Sequence, residues 1–330
     1  MKKTRKLHIF STCTNIKSFP SSAECQLGRF EDQPVDHVVQ QWWKNLNSKR
    51  FHQVEAEKLY VGSHWKETLA TVTEGQQRGF DTQFWILSAG WGLLAADQKI
   101  CPYAATFTAG ADDSIHSLDW PEESSHKERC RSWWREINSL SSAEEPTSIV
   151  SLAQEARSTL LFILSVDYFL AIEQELLELT SKGHSVLIIS AGLYTEKGVA
   201  HPQLTDHILP FNDKFKQLED YLNKTNVSLN ARLANWLLRE HSETMALGVK
   251  ETVARVAEIE SSLPEMKRRP VVKMTDDEVL DFIGQHYVSQ VSSASQLLKI
   301  LRHQEQKSCE QKRFGQLFRQ YQNENDRGLF

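Results

Sequence analysis

Four short apolar runs punctuate the first part of the chain: Leu7–Phe10, Phe84–Leu87, Leu160–Leu164 and Val186–Ile189. Each stops abruptly at small polar residues: Ser11-Thr-Cys-Thr-Asn15, Ser88-Ala-Gly90, Ser165 and Ser190-Ala-Gly192. Short unbroken apolar runs of this kind read as strands buried on both faces. Between them apolar residues recur at helical spacing. One set is Val38, Val39, Trp42, Trp43 and Leu46, another Trp65, Leu69 and Val72. Cys130, Trp133, Trp134 and Ile137 form a third, and Phe169, Ile172, Leu176 and Leu179 a fourth. Strands alternating with helices predict an α/β fold: a mostly parallel sheet with flanking helices. From Asn226 the pattern turns helical, first at Leu229, Leu233, Trp236 and Leu237 and then from Leu247 to Ile259.

A basic, proline-containing hinge follows at 261–270. Beyond it lie three apolar stripes, Val279/Phe282/Ile283, Leu297/Leu298/Leu301 and Phe314/Leu317/Phe318/Tyr321. Each is preceded by a capping-box signature, Thr275 with Glu278, Ser293 with Gln296 and Ser308 with Gln311. The pattern predicts a small C-terminal three-helix module resembling a helix-turn-helix. The chain thus divides into an α/β domain, 1–264, and a helical module, 265–330. A Ser- and Glu-rich linker, 139–148, falls within the first.

Composition narrows the classes. The chain has 330 residues, 40% hydrophobic and 25% charged, which excludes disordered, collagen-like and disulfide-scaffold proteins. No apolar stretch approaches the ~18 residues of a membrane span. The run behind the basic start is too short for a signal peptide, so a cytoplasmic location without a membrane partner is expected. None of the five cysteines stands in Cys-x-x-Cys spacing, and the twelve histidines are scattered, His201 and His207 being the nearest to a ligand pair. No metal or cofactor is signalled. The net charge is −5, but residues 267–330 hold 11 Lys and Arg against 8 Asp and Glu, leaving −8 on the remainder. That asymmetry favours an anionic partner such as DNA at the C-terminal end.

The richest chemistry lies between Ser88 and Phe107, beyond the second strand, where open α/β sheets bind their ligands. Ser88 opens the turn, and Gly90 and Gly92 allow close backbone approach. Trp91 offers a stacking face, Asp97 a base, Tyr103 a phenol behind Pro102, Thr106 a hydroxyl and Phe107 a second aromatic face.

This window, LSAGWGLLAADQKICPYAATF, resembles the Ser-Ala-x-x-Gly-Leu … Pro-Tyr motif of the YaaA-like, archaeosine-synthase-associated superfamily. The likeness continues in LYVGSHW (59–65), ILSVDY (163–168), LIISAG (187–192) and SLNARLANWLL (228–238), over about residues 5–240. Within the superfamily the chain is most similar to the C-protein branch of the bacterial Dpd systems, which put 7-deazaguanines into DNA. The resemblance implies conversion of a 7-cyano group, already in DNA, to the 7-carboxamide. DNA and other proteins of the same modification system are the implied partners. Ser165, Tyr168, Ser190 and Gly192 join the expected base-binding residues.

Adding water to a nitrile needs hydrogen bonds to its nitrogen and a base for the water. Asp97 is the expected base, with backbone N–H groups of the Ser88–Gly92 turn stabilising the imidate. A covalent route through a thiolate at Cys13 or Cys101 is the alternative. Asn230 and Arg232 of the Leu-Asn-Ala-Arg segment are expected to read a base edge and hold a phosphate or guanine oxygen. Eight of the nine tryptophans fall between 42 and 134, where an extruded base could stack. Lys312, Arg313 and Arg319, with Arg302 before them, form a basic face suited to DNA. The competing reading is a non-catalytic DNA-binding module of stress response or genome defence that recognises a modified or damaged base.

Overall fold

The computed structural model describes residues 5–140, 148–153, 158–195, 198–199, 201–266, 272–287, 293–303, 305 and 307–327. Most of the expected linker, at 141–147, and part of the hinge, at 267–271, lie outside the described residues. Two compact units result, Met1–Glu265 and Met266–Phe330.

The first unit is a mixed α/β structure around a five-stranded sheet. Its strands are β1 (Arg5–Thr12), β2 (Phe80–Ser88), β3 (Gly92–Ala95), β4 (Ser158–Ile163) and β5 (Ser185–Ile189). They lie in the order β3-β2-β1-β4-β5, all parallel except β3, which folds back on β2. Leu7, Ile9, Phe10, Leu160–Ile163 and Val186–Ile189 are fully or almost fully buried, as expected of a parallel sheet covered on both faces. The strands outrun their apolar centres because the ladder continues into polar flanks; Arg5 still pairs with Phe80.

The principal helices of this unit are α1 (Val35–Leu46), α2 (Ser63–Gln77), α3 (His126–Ser139), α4 (Val166–Ser181), α5 (Leu229–Leu247) and α6 (Val249–Ser262). The chain moves from β1 to β2 in one direction and from β4 to β5 in the other. Right-handed crossovers then send the connecting helices to opposite faces. α2, with α5 against it, covers one face, and α4, with α3 against it, the other. On β1, Ser11 bonds His64 and Thr68 of α2, while Phe10 stacks on Phe162 across the opposite face. α3 starts at a full capping box between Ser125 and Glu128. Gly248 separates α5 from α6, so the expected run from Leu247 to Ile259 begins only at Val249.

The second unit holds α7 (Asp276–His286), α8 (Ala294–His303) and α9 (Gln311–Arg327). Val279, Phe282, Ile283, Leu297, Leu301 and Phe314 form its core. Thr275/Glu278 and Ser293/Gln296 make the expected reciprocal bonds. The third box is corrected: α9 begins at Gln311, and Ser308 instead pairs with Lys273 in a short parallel bridge. No helix among the described residues is long and apolar enough to cross a membrane.

Candidate active site

β1 is the first strand in sequence and the middle one in space, so its carboxyl end is where strand order reverses. That is the ligand-binding address of an open α/β sheet. Cys13 leaves β1 there, its N–H held by the Leu87 carbonyl at 2.9 Å. The residue is partly buried, and its sulfur lies 3.0 Å from the Tyr168 hydroxyl and 3.4 Å from the Tyr103 hydroxyl. Tyr168 stands on the first turn of α4, just beyond β4. Tyr103 comes from the loop after β3.

Fixed backbone donors set the direction of this network. Gly90 and Trp91 donate their N–H groups to Ser88 Oγ, at 3.2 and 2.9 Å. Ser88 is therefore the donor toward Tyr103 Oη, 2.7 Å away. Tyr60 Oη approaches the same hydroxyl at 3.0 Å. Ala89 N–H donates to Tyr168 Oη at 3.1 Å. Both phenols that face Cys13 thus receive hydrogen bonds from behind; Tyr103 donates to the sulfur, and Tyr168 shares a hydrogen bond with it. Burial, reinforced by the neighbouring Cys13, pushes Tyr60, Tyr103 and Tyr168 well above the usual phenol range, so all three stay protonated. Lys17 closes the other side, its ammonium 4.4 Å from the Tyr103 ring centre. Burial holds that ammonium below the usual lysine range, against the pull of Cys13 and Asp113.

Of the expected residues, the fold brings together Cys13, Ser88, Tyr103 and Tyr168, with Phe107 packed edge-on against Tyr168 at 4.8 Å. Several others are corrected. Asp97 is exposed in the turn after β3. Ala95 of that strand already pairs with Trp85, three residues back from Ser88 or about 10 Å at the rise of a strand. Asp97 lies beyond it and cannot serve as the base. Cys101 is fully buried, with Cys25 Sγ at 3.9 Å and the Leu46 carbonyl at 3.4 Å. The Cys25 contact and burial push its thiol up, which removes it as a nucleophile. The N–H groups of the glycine turn are spent on Ser88 and Tyr168, one bond behind any reacting atom.

The glycines serve the protein rather than a ligand. A Cβ on Gly90 would lie 2.3 Å from the Tyr103 ring, so the ring occupies the space expected for substrate. Gly92 has φ +76°, and a Cβ there would meet Asn138 Oδ1 at 2.5 Å. Trp91 is buried, donating to the Cys101 carbonyl and packing on Trp43. Trp42, Trp65, Trp120, Trp133, Trp134 and Trp236 are core as well, so the expected stacking platform is absent among them. Thr106 Oγ1 accepts from Thr108 N–H within its own loop.

Asn230 spends its amide on structure, donating to the Leu164 carbonyl and accepting from Ala191 N–H, which ties the ends of β4 and β5 together. Arg232 is wholly buried between α2 and α5, with Nη2 on the Thr225 carbonyl. It reaches no phosphate. Ser165 is exposed ahead of α4, Gly192 is exposed after β5, and the Ser190 hydroxyl is buried with no hydrogen-bond partner among the described residues. His201 turns to Glu173 and His207 to the Val186 carbonyl, so they are not a ligand pair.

In the second unit Arg302 donates to the Cys309 carbonyl, and Arg313 to Asp276 and the Met274 carbonyl. Both tie the unit together. Arg319 is exposed, and the side chain of Lys312 lies outside the described residues.

Sequence reasoning missed Tyr60, Lys17 and His64. His64 Nε2 faces Ser11 and Thr12 at the end of β1, and burial lowers its pKa to about 4. Tyr60 and His64 lie within the LYVGSHW segment, which offered a signal; Lys17 offered none.

Fold and site define an α/β protein with a thiol–phenol centre at its topological switch point. No family model, curated protein or solved structure matches this chain.

Proposed function

We propose that this protein adds water to the nitrile of a 7-cyano-7-deazaguanine base in DNA, giving the 7-carboxamide, through a covalent intermediate on Cys13. The observation that carries the chemistry is the sulfur of partly buried Cys13 within hydrogen-bond reach of two phenols. The substrate comes from the resemblance of residues 5–240 to the YaaA-like superfamily.

Cys13 sulfur bonds to the nitrile carbon, and Tyr168 passes a proton to the nitrile nitrogen while taking up the thiol proton. The product is a thioimidate. Water then adds across its C=N bond, placing the hydroxyl on carbon and the hydrogen on nitrogen. The tetrahedral intermediate collapses, the C–S bond breaks, and the hydroxyl proton returns to sulfur through the same phenol. The net change is nitrile plus water to amide, with no cofactor consumed. Tyr103, polarised by Ser88 and Tyr60, is the second donor to the departing sulfur. An extruded base would enter beside Cys13, and the exposed Arg319 of the second unit supplies part of the attraction for DNA. A DNA substrate implies a cytoplasmic protein working alongside others of its modification system.

The test is mass spectrometry of nucleosides from DNA carrying the cyano base after incubation with the protein. A gain of one water without base loss, abolished in Cys13→Ala, supports the reading. Unchanged nucleosides with retained DNA binding would replace it with the recognition module.

A further inference from the structure

Away from the thiol–phenol centre, His116, His126 and Cys130 bring three potential ligand atoms within 4.8 Å of one another. His116 lies in a short 3-10 turn, Ile115–Ser117; His126 and Cys130 are one turn apart on α3. Each Nε2 is 3.8 Å from Cys130 Sγ. Ordinary Zn–S and Zn–N bond lengths at a tetrahedral angle require a sulfur–nitrogen separation of about 3.6 Å. The two imidazoles stack at 4.2 Å with 17° between their planes, so the exposed His126 ring has to turn for both to reach one ion. Asp167 Oδ1 lies 2.9 Å from His126 Nε2, outside the three-atom cluster.

Neither a catalytic triad nor a plain hydrogen-bond cluster fits this geometry. A Cys-His-Asp triad needs cysteine and carboxylate on opposite ring nitrogens. Here Cys130 and Asp167 face the same one, and Cys130 is wholly buried. A hydrogen-bond cluster is oversubscribed: His126 Nε2 is shared by Cys130 and Asp167, and His116 Nε2 by Cys130 and the Phe107 carbonyl at 3.0 Å. One nitrogen carries at most one proton, whereas a single cation satisfies the thiolate and both imidazoles at once.

We propose that His116, His126 and Cys130 bind a zinc ion through two imidazoles and one thiolate, with solvent completing the tetrahedron. Thiolate and imidazole ligands select zinc over calcium or magnesium. The ion enters past His126, whose side chain is 41% exposed. Three protein ligands leave the fourth position to solvent. The ion joins the 3-10 turn at Ile115–Ser117 to the start of α3. The site stands independently of the proposed activity.

The full chain, prepared without a histidine tag and stripped with a chelator, is titrated with cobalt(II). One equivalent is expected to bind, with the visible d–d bands of a tetrahedral ion and a near-ultraviolet thiolate-to-cobalt band. Cys130→Ser removes the thiolate band. His126→Ala, at an exposed position, weakens binding by more than the ~10–100-fold that loss of an outer-shell partner costs. If the serine variant does not fold, the His126→Ala affinity decides. Absence of tetrahedral bands in the wild-type chain, or unchanged affinity in a folded His126→Ala chain, overturns the proposal.

Discussion

Tyr168 and Cys13 are 155 residues apart in sequence and 3.0 Å apart in space, the phenol oxygen also accepting from Ala89 N–H. A backbone amide of β2's extension, a side chain from α4 and the end of β1 thereby meet at one atom.

Cys13→Ala is expected to lower nitrile hydration by on the order of 10³-fold or more, since no other thiol stands at the strand ends among the described residues. Tyr168→Phe keeps the ring and its contact with Phe107 and removes the proton donor. Its turnover should fall about 100-fold. Product formation by mass spectrometry, with far-ultraviolet circular dichroism as the fold control, checks both.

Asp97→Asn should leave turnover unchanged and stability within about 0.5 kcal/mol, as for an ordinary surface position. A loss of activity would restore the sequence-based assignment of Asp97 as the base.

Gly90→Ala drives a methyl group into the Tyr103 ring. The expected cost is about 1–3 kcal/mol in urea unfolding, the usual penalty for overpacking. Tyr103→Ala relieves the clash, so the double variant should be less destabilised than the sum of the two single ones.

His64 makes stability depend on pH. It is held near pKa 4 in the fold and titrates near 6.5 unfolded, so between those values the unfolded chain binds more protons. Stability contributed by neutral His64 is present in full above about pH 6.5 and is lost as pH falls toward 4. The total is on the order of 3 kcal/mol. In His64→Gln, the fall in urea midpoint across that window should be shallower.

Arg232→Met should leave the affinity for DNA and its salt dependence unaltered, because the guanidinium is enclosed. Arg319→Ala should reduce the slope of log affinity against log salt by about one phosphate contact. Fluorescence anisotropy with a labelled duplex at several salt concentrations separates the two.

The parallel strands were legible because a strand covered on both faces must be apolar at every position, and Ile-Leu-Ser or Ile-Ile-Ser marks where the cover ends. That placed Cys13, Ser88 and Ser190 at the correct edge. β3 was not legible. Gly92-Leu-Leu-Ala95 is too short to declare a period, and reading it as loop left Asp97 beside the glycine turn when the hairpin carries it away. Arg232 did carry a signal. Leu229, Ala231, Leu233, Ala234, Trp236 and Leu237 surround the helix on all sides, and a charge in such a stretch is enclosed whichever way it points. Tyr60 and Lys17 lie in segments without period, where only tertiary packing decides what they face.

The placement of β1 also sets when the centre can form. The sheet's middle strand leaves the ribosome first, but Tyr168 follows only after 155 more residues. At bacterial or eukaryotic rates of synthesis that delay is roughly ten to thirty seconds. Until that interval ends the thiol of a nascent chain lacks its Tyr168 partner, even after Tyr103 has been made. The surroundings of Cys13 are therefore a clock for the arrival of α4.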